Sequence, residues 1–195
     1  MTRARLLAIG ALGGFVVVCA WLLFVALPRW YGPDPIPAAP VVAAAPGPVE
    51  PRRIKATLYY VAEDGGRLVG IERDVPYAGS TAEQARRIVE EQLKAAPEPL
   101  RSALPSGTAL RALFLTGGDA YVDLGTEIAS GHPGGSREEI LTVYTLVNVI
   151  TTNLPAIARV QILVGGREVD TLAGHVDLRR PLQKNLKWTN SSAAP

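Results

Sequence analysis

The apolar and polar positions of this chain follow three periods in turn. Residues 6–27 are apolar throughout: 19 of the 22 are hydrophobic and the other three are glycine. As a helix this run is ~33 Å long, enough for the ~30 Å core of a bilayer. From residue 54 the period is two. A run with Ile54, Leu58, Tyr60 and Val61 meets Asp64-Gly65-Gly66 and returns over 68–75. A second run, 110–115, meets Gly117-Gly118 and returns over 120–124. A third, 159–164, meets Gly165-Gly166 and returns over 167–172. Glycine takes positive φ without steric cost, as tight hairpins require, so three hairpins are predicted.

Between the hairpins the period is that of a helix. Ala85, Ile88, Val89, Leu93 and Ala96 form one stripe, opened by the capping pattern Ser80-Thr81-Ala82-Glu83 and stopped by Pro97 and Pro99. Ile140, Val143, Tyr144, Val147, Ile150 and Leu154 form the second, opened by Ser136-Arg137-Glu138-Glu139 and ended by Pro155. Leu141 and Leu146 widen it, so this helix is expected to be the more buried. The order ββ-α-ββ-α-ββ predicts an α+β domain: a mainly antiparallel sheet from three hairpins, with two helices packed on it.

The flanks give the organisation. Arg3 and Arg5 precede the apolar run, and Arg29, Trp30 and Tyr31 follow it, which predicts a cytoplasmic N-terminus and a single pass through the cytoplasmic membrane. A cleaved signal peptide would need a shorter apolar region and a small-x-small site, which residues 24–28 do not offer. Val18 stands before Cys19 where a lipidation site calls for a small residue. Eight prolines between 28 and 51 predict an extended linker of ~75 Å reach. The expected arrangement is a cytoplasmic stub 1–5, an anchor 6–27, a linker 28–51, a domain 52–188 on the extracytoplasmic side and a disordered tail 189–195.

Charge and chemistry narrow the function. Lys and Arg total 20 and Asp and Glu 18, a net charge of +2, so no nucleic-acid partner is expected. One cysteine and two histidines in 195 residues offer neither a disulfide nor a structural zinc site. The chain has no Gly-x-Ser-x-Gly elbow, no phosphate-cradling glycine loop with lysine and no His-Glu-x-x-His helix, and no cofactor is expected. Asp123 is placed to cap the turn at Gly125-Thr126 or to touch a ligand. His175 and Asp177 stand two positions apart, on one side if the segment is a strand. They read as an acid–base pair or as an anchor for the chain end. His132 lies in a glycine-rich loop before the second helix. Arg179, Arg180, Lys184 and Lys187 make a basic patch beside Trp188.

A set of short pieces stands in order along the chain. They are Ile71-Glu72-Arg73; Leu104-Pro105-Ser106-Gly107-Thr108; Ala120-Tyr121-Val122-Asp123-Leu124; Val143-Tyr144-Thr145-Leu146-Val147-Asn148; and Val160-Gln161-Ile162-Leu163-Val164-Gly165-Gly166-Arg167 leading to Gly174-His175-Val176-Asp177. With them residues 57–182 resemble the GerMN domain, named after the sporulation and germination protein GerM of spore-forming bacteria. Two departures are Ala96-Pro97 for the family's Gly-Pro and Asp123-Leu124-Gly125 for its Asp-Phe-Ser. The resemblance implies an envelope protein, membrane-anchored or a lipoprotein, with a fold similar to ring-building domains. It implies a non-catalytic role: binding cell-wall glycan (peptidoglycan), or assembling an envelope complex, with self-association as a homo-oligomer included. Arg73, Asp123, His175 and Asp177 are its candidate binding residues. The alternative is an enzyme acting on cell-wall polymer through Asp123, His175 and Asp177.

Overall fold

The structure, a computed structural model, describes residues 15–31 and 52–189. The chain divides into two compact units, Met1–Val49 and Glu50–Pro195.

In the first unit, residues 15–31 are helical (α1). Within Leu22–Ala26 the helix winds more widely, and the Leu27 N–H donates to the Leu22 carbonyl, five residues back. Pro28, at the start of the expected linker, continues this helix. Proline has no N–H to give to a helix, so it brings no bond of its own to the turn before it. Phe15, Val17, Phe24 and Trp30 are all exposed. Among the described residues no helix is long and apolar enough to cross a membrane. The predicted span 6–27 begins outside them, as do residues 32–51 of the linker and 190–195 of the tail.

Among the described residues the second unit has seven strands and three α-helices, with one 3-10 turn at Leu186–Trp188. They are β1 (Arg53–Val61), β2 (Leu68–Pro76), α2 (Thr81–Gln92), β3 (Leu110–Thr116), β4 (Asp119–Leu124), α3 (Glu127–Ser130), α4 (Ser136–Asn153), β5 (Arg159–Val164), β6 (Arg167–Glu168) and β7 (Leu182–Gln183). The domain is α+β, but the expected single antiparallel sheet is in fact two. β1 and β2 form one antiparallel pair. The other five strands form a mixed sheet in the order β3-β4-β5-β6, with β7 also on β5. β4 and β5 run parallel, Ala120 opposite Val160 and Leu124 opposite Val164. The chain leaves β4, passes through α3 and α4, and re-enters the sheet at β5 in the same direction, a crossover rather than a hairpin. Hydrophobic alternation marks the buried face of a strand but not its neighbour.

The tight turns follow the glycines. Gly117 and Gly118 have φ of 58° and 84°, and Gly165 and Gly166 have 60° and 81°. Two consecutive positive φ values give the turn whose twist matches paired strands. The third hairpin is shorter than expected, because β6 is only two residues long. Leu172 leaves the sheet and joins the core.

Helix α2 begins as predicted, with the Ser80 hydroxyl accepting the Glu83 N–H at 3.2 Å. Glu83 does not reach back; it pairs with Arg87. Helix α4 begins differently. Its N-cap is Gly135 with no side-chain cap, Ser136 is already helical, and Glu139 is turned inward. Of the 18 residues of α4, 11 are buried. It packs against β1, α2 and β5.

Side-chain amides join the small sheet to the helices. The edge of β1 facing away from β2 offers the backbone of Thr57 and Tyr59. Asn153 of α4 accepts the Thr57 N–H and donates to its carbonyl, both at 2.8 Å. Gln92 of α2 does the same for Tyr59, also at 2.8 Å. The Val61 and Arg101 backbones complete the row. Each amide supplies one donor and one acceptor, as a neighbouring strand would, so a buried strand edge is satisfied without a strand. Asn148 clamps the backbone of Asn185 in the same way. Thr189, assigned above to the tail, bonds back to Leu186 and bridges to Leu68.

Candidate functional site

Strand period separates the two faces of the five-stranded sheet. Ala120, Val122 and Leu124 of β4, with Val160 and Ile162 of β5, point into the core and are essentially inaccessible. The opposite phase carries Asp119, Tyr121 and Asp123. By register Tyr121 lies opposite Phe114 and Asp123 opposite Ala112 on β3. On β5, Arg159 lies opposite Asp119 and Gln161 opposite Tyr121. Phe114 is 59% exposed, the most exposed large hydrophobic residue described in this unit. Tyr121 beside it is half-buried.

An ion pair closes each end of this aromatic pair. Arg159 donates to both Asp119 oxygens, Nε at 2.8 Å and Nη2 at 2.7 Å. That bidentate bond, and the charge of the Asp119 carboxylate, hold the Arg159 guanidinium still more firmly protonated. At the other end Arg111 Nε donates to Asp123 Oδ2 at 3.2 Å. Asp123 Oδ1 accepts the Gly166 N–H at 2.6 Å. Asp123 therefore caps the Gly165-Gly166 turn, not the turn at Gly125-Thr126. Parallel pairing of β4 with β5 brings that later turn beside it. The result is a strip with two aromatic rings at its centre and neutralised charges at its ends.

The other candidates lie elsewhere. Arg73 is on β2, opposite Ala56, and is partly buried. Burial pushes the nearby Tyr60 hydroxyl up; the positive charge of Arg73 pulls it down and Glu91 pushes it up, for a net rise. His175 and Asp177 do not pair, and their segment is not a strand. Asp177 is exposed and holds the Arg179 backbone N–H and guanidinium. Those bonds set its carboxyl well below the usual range.

His175 belongs with Glu139, a residue read from the sequence only as part of a helix cap. The Glu139 carboxylate is fully buried. It accepts the N–H groups of Leu172 at 2.8 Å, Ala173 at 3.0 Å and His175 at 2.7 Å, and meets His175 Nδ1 at 3.2 Å. Burial alone would push this carboxyl up. The N–H groups of Ala173, His175, Leu172 and Val176 outweigh it and hold it below its ordinary 4.5. Glu139 thus replaces strand pairing for the 172–175 backbone, which is why the third hairpin ends early. Among the described residues no hydrogen bond joins any two of Asp123, His175 and Asp177.

His132 is also tied into the structure. Its Nδ1 accepts the Gly134 N–H at 2.9 Å, so Nε2 carries the proton given to Thr142 Oγ1, which in turn donates to the Ala103 carbonyl. Sequence reasoning missed Phe114, Arg111, Asp119 and Arg159. Phe114 had a signal: in Leu113-Phe114-Leu115 the phenyl ring occupies the outward phase of its strand. The ion pairs had none, since Asp119 and Arg159 are far apart in the chain.

Compared with families of known domains, residues 57–170 match the family described as Germane: sporulation and spore germination. A comparison with curated protein sequences found no match. Among solved structures, the chain is similar to the first GerMN domain of the sporulation protein GerM from Bacillus subtilis. The TM-score is 0.50 and the identity 21%, over 68% of this chain and 96% of that one. It is similar to the tandem GerMN domains of the same protein at TM-score 0.50 and 21% identity, over 69% of this chain and 46% of that one. A Clostridium perfringens structure, described as that of a candidate lipoprotein, gives TM-score 0.49 and 21% identity over 68% and 88%.

Proposed function

Because the chain belongs to the Germane family of sporulation and spore germination domains, we propose that it is a non-catalytic interaction domain of the cell envelope. It is held at the cytoplasmic membrane by residues 6–27 and displayed on the extracytoplasmic side by its linker. It binds the glycan strands of the cell wall. The observation that carries this reading is the β3–β4 part of the outer sheet face, where exposed Phe114 and half-buried Tyr121 stand between two Asp–Arg pairs, while the β5 side is covered at Gln161 by the chain at Leu178.

A flat aromatic surface suits the apolar face of a sugar ring, and burying a half-exposed ring contributes on the order of 1 kcal/mol or more. The carboxylates and guanidiniums beside the rings neutralise one another. The carboxylates are nearly buried, and the half-exposed guanidiniums leave N–H groups for hydroxyls, which favours a neutral, polyhydroxylated ligand over a strongly charged one. The anchor reading is supported by the unbroken apolar sequence of 6–27 and by the exposed apolar side chains of its described helical part.

Full-length protein in detergent should co-sediment with purified, protein-free sacculi. The F114A/Y121A double variant should lose at least about 90% of the bound fraction, a difference of ~1.4 kcal/mol. Its melting temperature should fall by no more than a few degrees, because Phe114 is exposed and Tyr121 only half-buried, so the domain stays folded at the assay temperature. Equal binding by both proteins would refute this role for the face.

A further inference from the structure

We infer that the pocket between the first hairpin and the start of α4 is a binding site for a small zwitterion, an amino acid of about alanine's size. The pocket has a volume of about 160 Å³ and shares no residue with the strip of Phe114 and Tyr121. A cavity of about 150 Å³ is enough for benzene, and alanine has as many heavy atoms.

One wall is built on the bridge between Val61 and Arg101. Each of these residues gives its N–H to the carbonyl of the other, at 2.8 and 3.0 Å. That pairing roots the Arg101 side chain at the rim. Its guanidinium lies along Gly65, with Nη2 3.0 Å from where a Cβ would stand, and only glycine leaves that place open. The other wall is the first two turns of α4, where helical spacing puts Glu138, Leu141 and Thr142 on one side. The Thr142 hydroxyl joins the two walls through its 2.6 Å bond to the Ala103 carbonyl.

The polar side chains of the lining are already committed, with two exceptions. Ser102 Oγ is held by both the N–H and the carbonyl of Leu104. Thr142 Oγ1 donates to Ala103 and accepts from His132. The Arg101 guanidinium and the Glu138 carboxylate remain. Among the described residues neither has an ion-pair or side-chain hydrogen-bond partner, and they are too far apart to pair with each other. Between them stand the apolar side chains of Val61 and Leu141, both buried.

Two unmatched charges of opposite sign select the ligand. A simple carboxylate would satisfy Arg101 and leave Glu138 without a partner, and a simple amine would do the reverse. A molecule that carries both charges answers both. Its carboxylate meets the guanidinium, its ammonium meets Glu138, and a short side chain lies against Val61 and Leu141.

Saturation-transfer NMR on the full-length protein in detergent, with L-alanine as the probe, tests the site. N-acetylalanine keeps only the carboxylate and alaninamide keeps only the ammonium. Both should bind at least about tenfold more weakly than alanine. Arg101→Met should bring alanine down to the level of alaninamide, and Glu138→Gln should bring it down to the level of N-acetylalanine. Both side chains are exposed, so both variants should melt as the wild type does. F114A/Y121A should bind alanine unchanged, which separates this site from the glycan-binding face. No saturable transfer to alanine with the wild-type protein overturns the proposal. So does binding of either analogue as tight as that of alanine, or wild-type affinity in both charge variants.

Discussion

Glu139→Ala should lower the stability of the domain by about 3–5 kcal/mol and its melting temperature by roughly 10 °C or more. The carboxylate is inaccessible to water and is the acceptor for three backbone N–H groups of 172–175. Alanine leaves those donors unmatched, beside a cavity the size of the lost side chain. Glu139→Gln keeps the shape, but its NH2 meets N–H groups where an acceptor is needed, so it too should be clearly destabilised. The pH dependence has a definite sign. The folded carboxyl lies below its ordinary 4.5, so its stabilisation is present in full above that value. It is lost as the pH falls through the lowered folded value. Wild-type protein should lose stability steeply there, and both variants should show a shallower acid limb. Melts by circular dichroism from pH 7 to pH 3 read both effects. An unshifted melt for Glu139→Ala would contradict the assignment. Asp177→Ala serves as the control: its partner Arg179 is exposed, and the melt should stay where it is.

Val147→Asp should abolish the cooperative fold. Val147 is fully buried at the middle of α4, the helix that packs against β1, α2 and β5. A carboxylate with no partner there costs ~3–5 kcal/mol or more, against the ~5–15 kcal/mol that hold a typical domain together. The variant should be recovered as aggregate or melt without a transition. A soluble Val147→Asp protein with a wild-type melt would mean that this helix face is open to solvent.

These cases show how far the sequence could be read. Periodicity located the strands of the first two hairpins and both long helices, and the glycine pairs located the tight turns. These signals are local, because the side chains that make them share one element. The sequence did not disclose that β4 meets β5 in parallel, since neither strand records its partner. It gave no sign that Gln92 and Asn153 would pair with a strand edge, because a polar residue on a helix reads as solvent-facing. Glu139 was misread for a related reason. Ser-x-x-Glu fits a helix cap, but here an inward glutamate supplies acceptors for a stretch of chain more than thirty residues later. Of the four site candidates, Asp123 alone stands on the open face, and its role there depends on Arg111 and Gly166.

The β3–β4 part of the outer sheet face, with Phe114 and Tyr121, is the surface proposed to meet the cell wall. Hydroxyl-radical footprinting of the full-length protein, with and without purified glycan strands, tests this most directly. Phe114 and Tyr121 should become several-fold less reactive when glycan is added, while Tyr77 and His175 stay unchanged. Protection at His175 with Phe114 and Tyr121 unaffected would contradict it and move the binding site to the Glu139-supported loop.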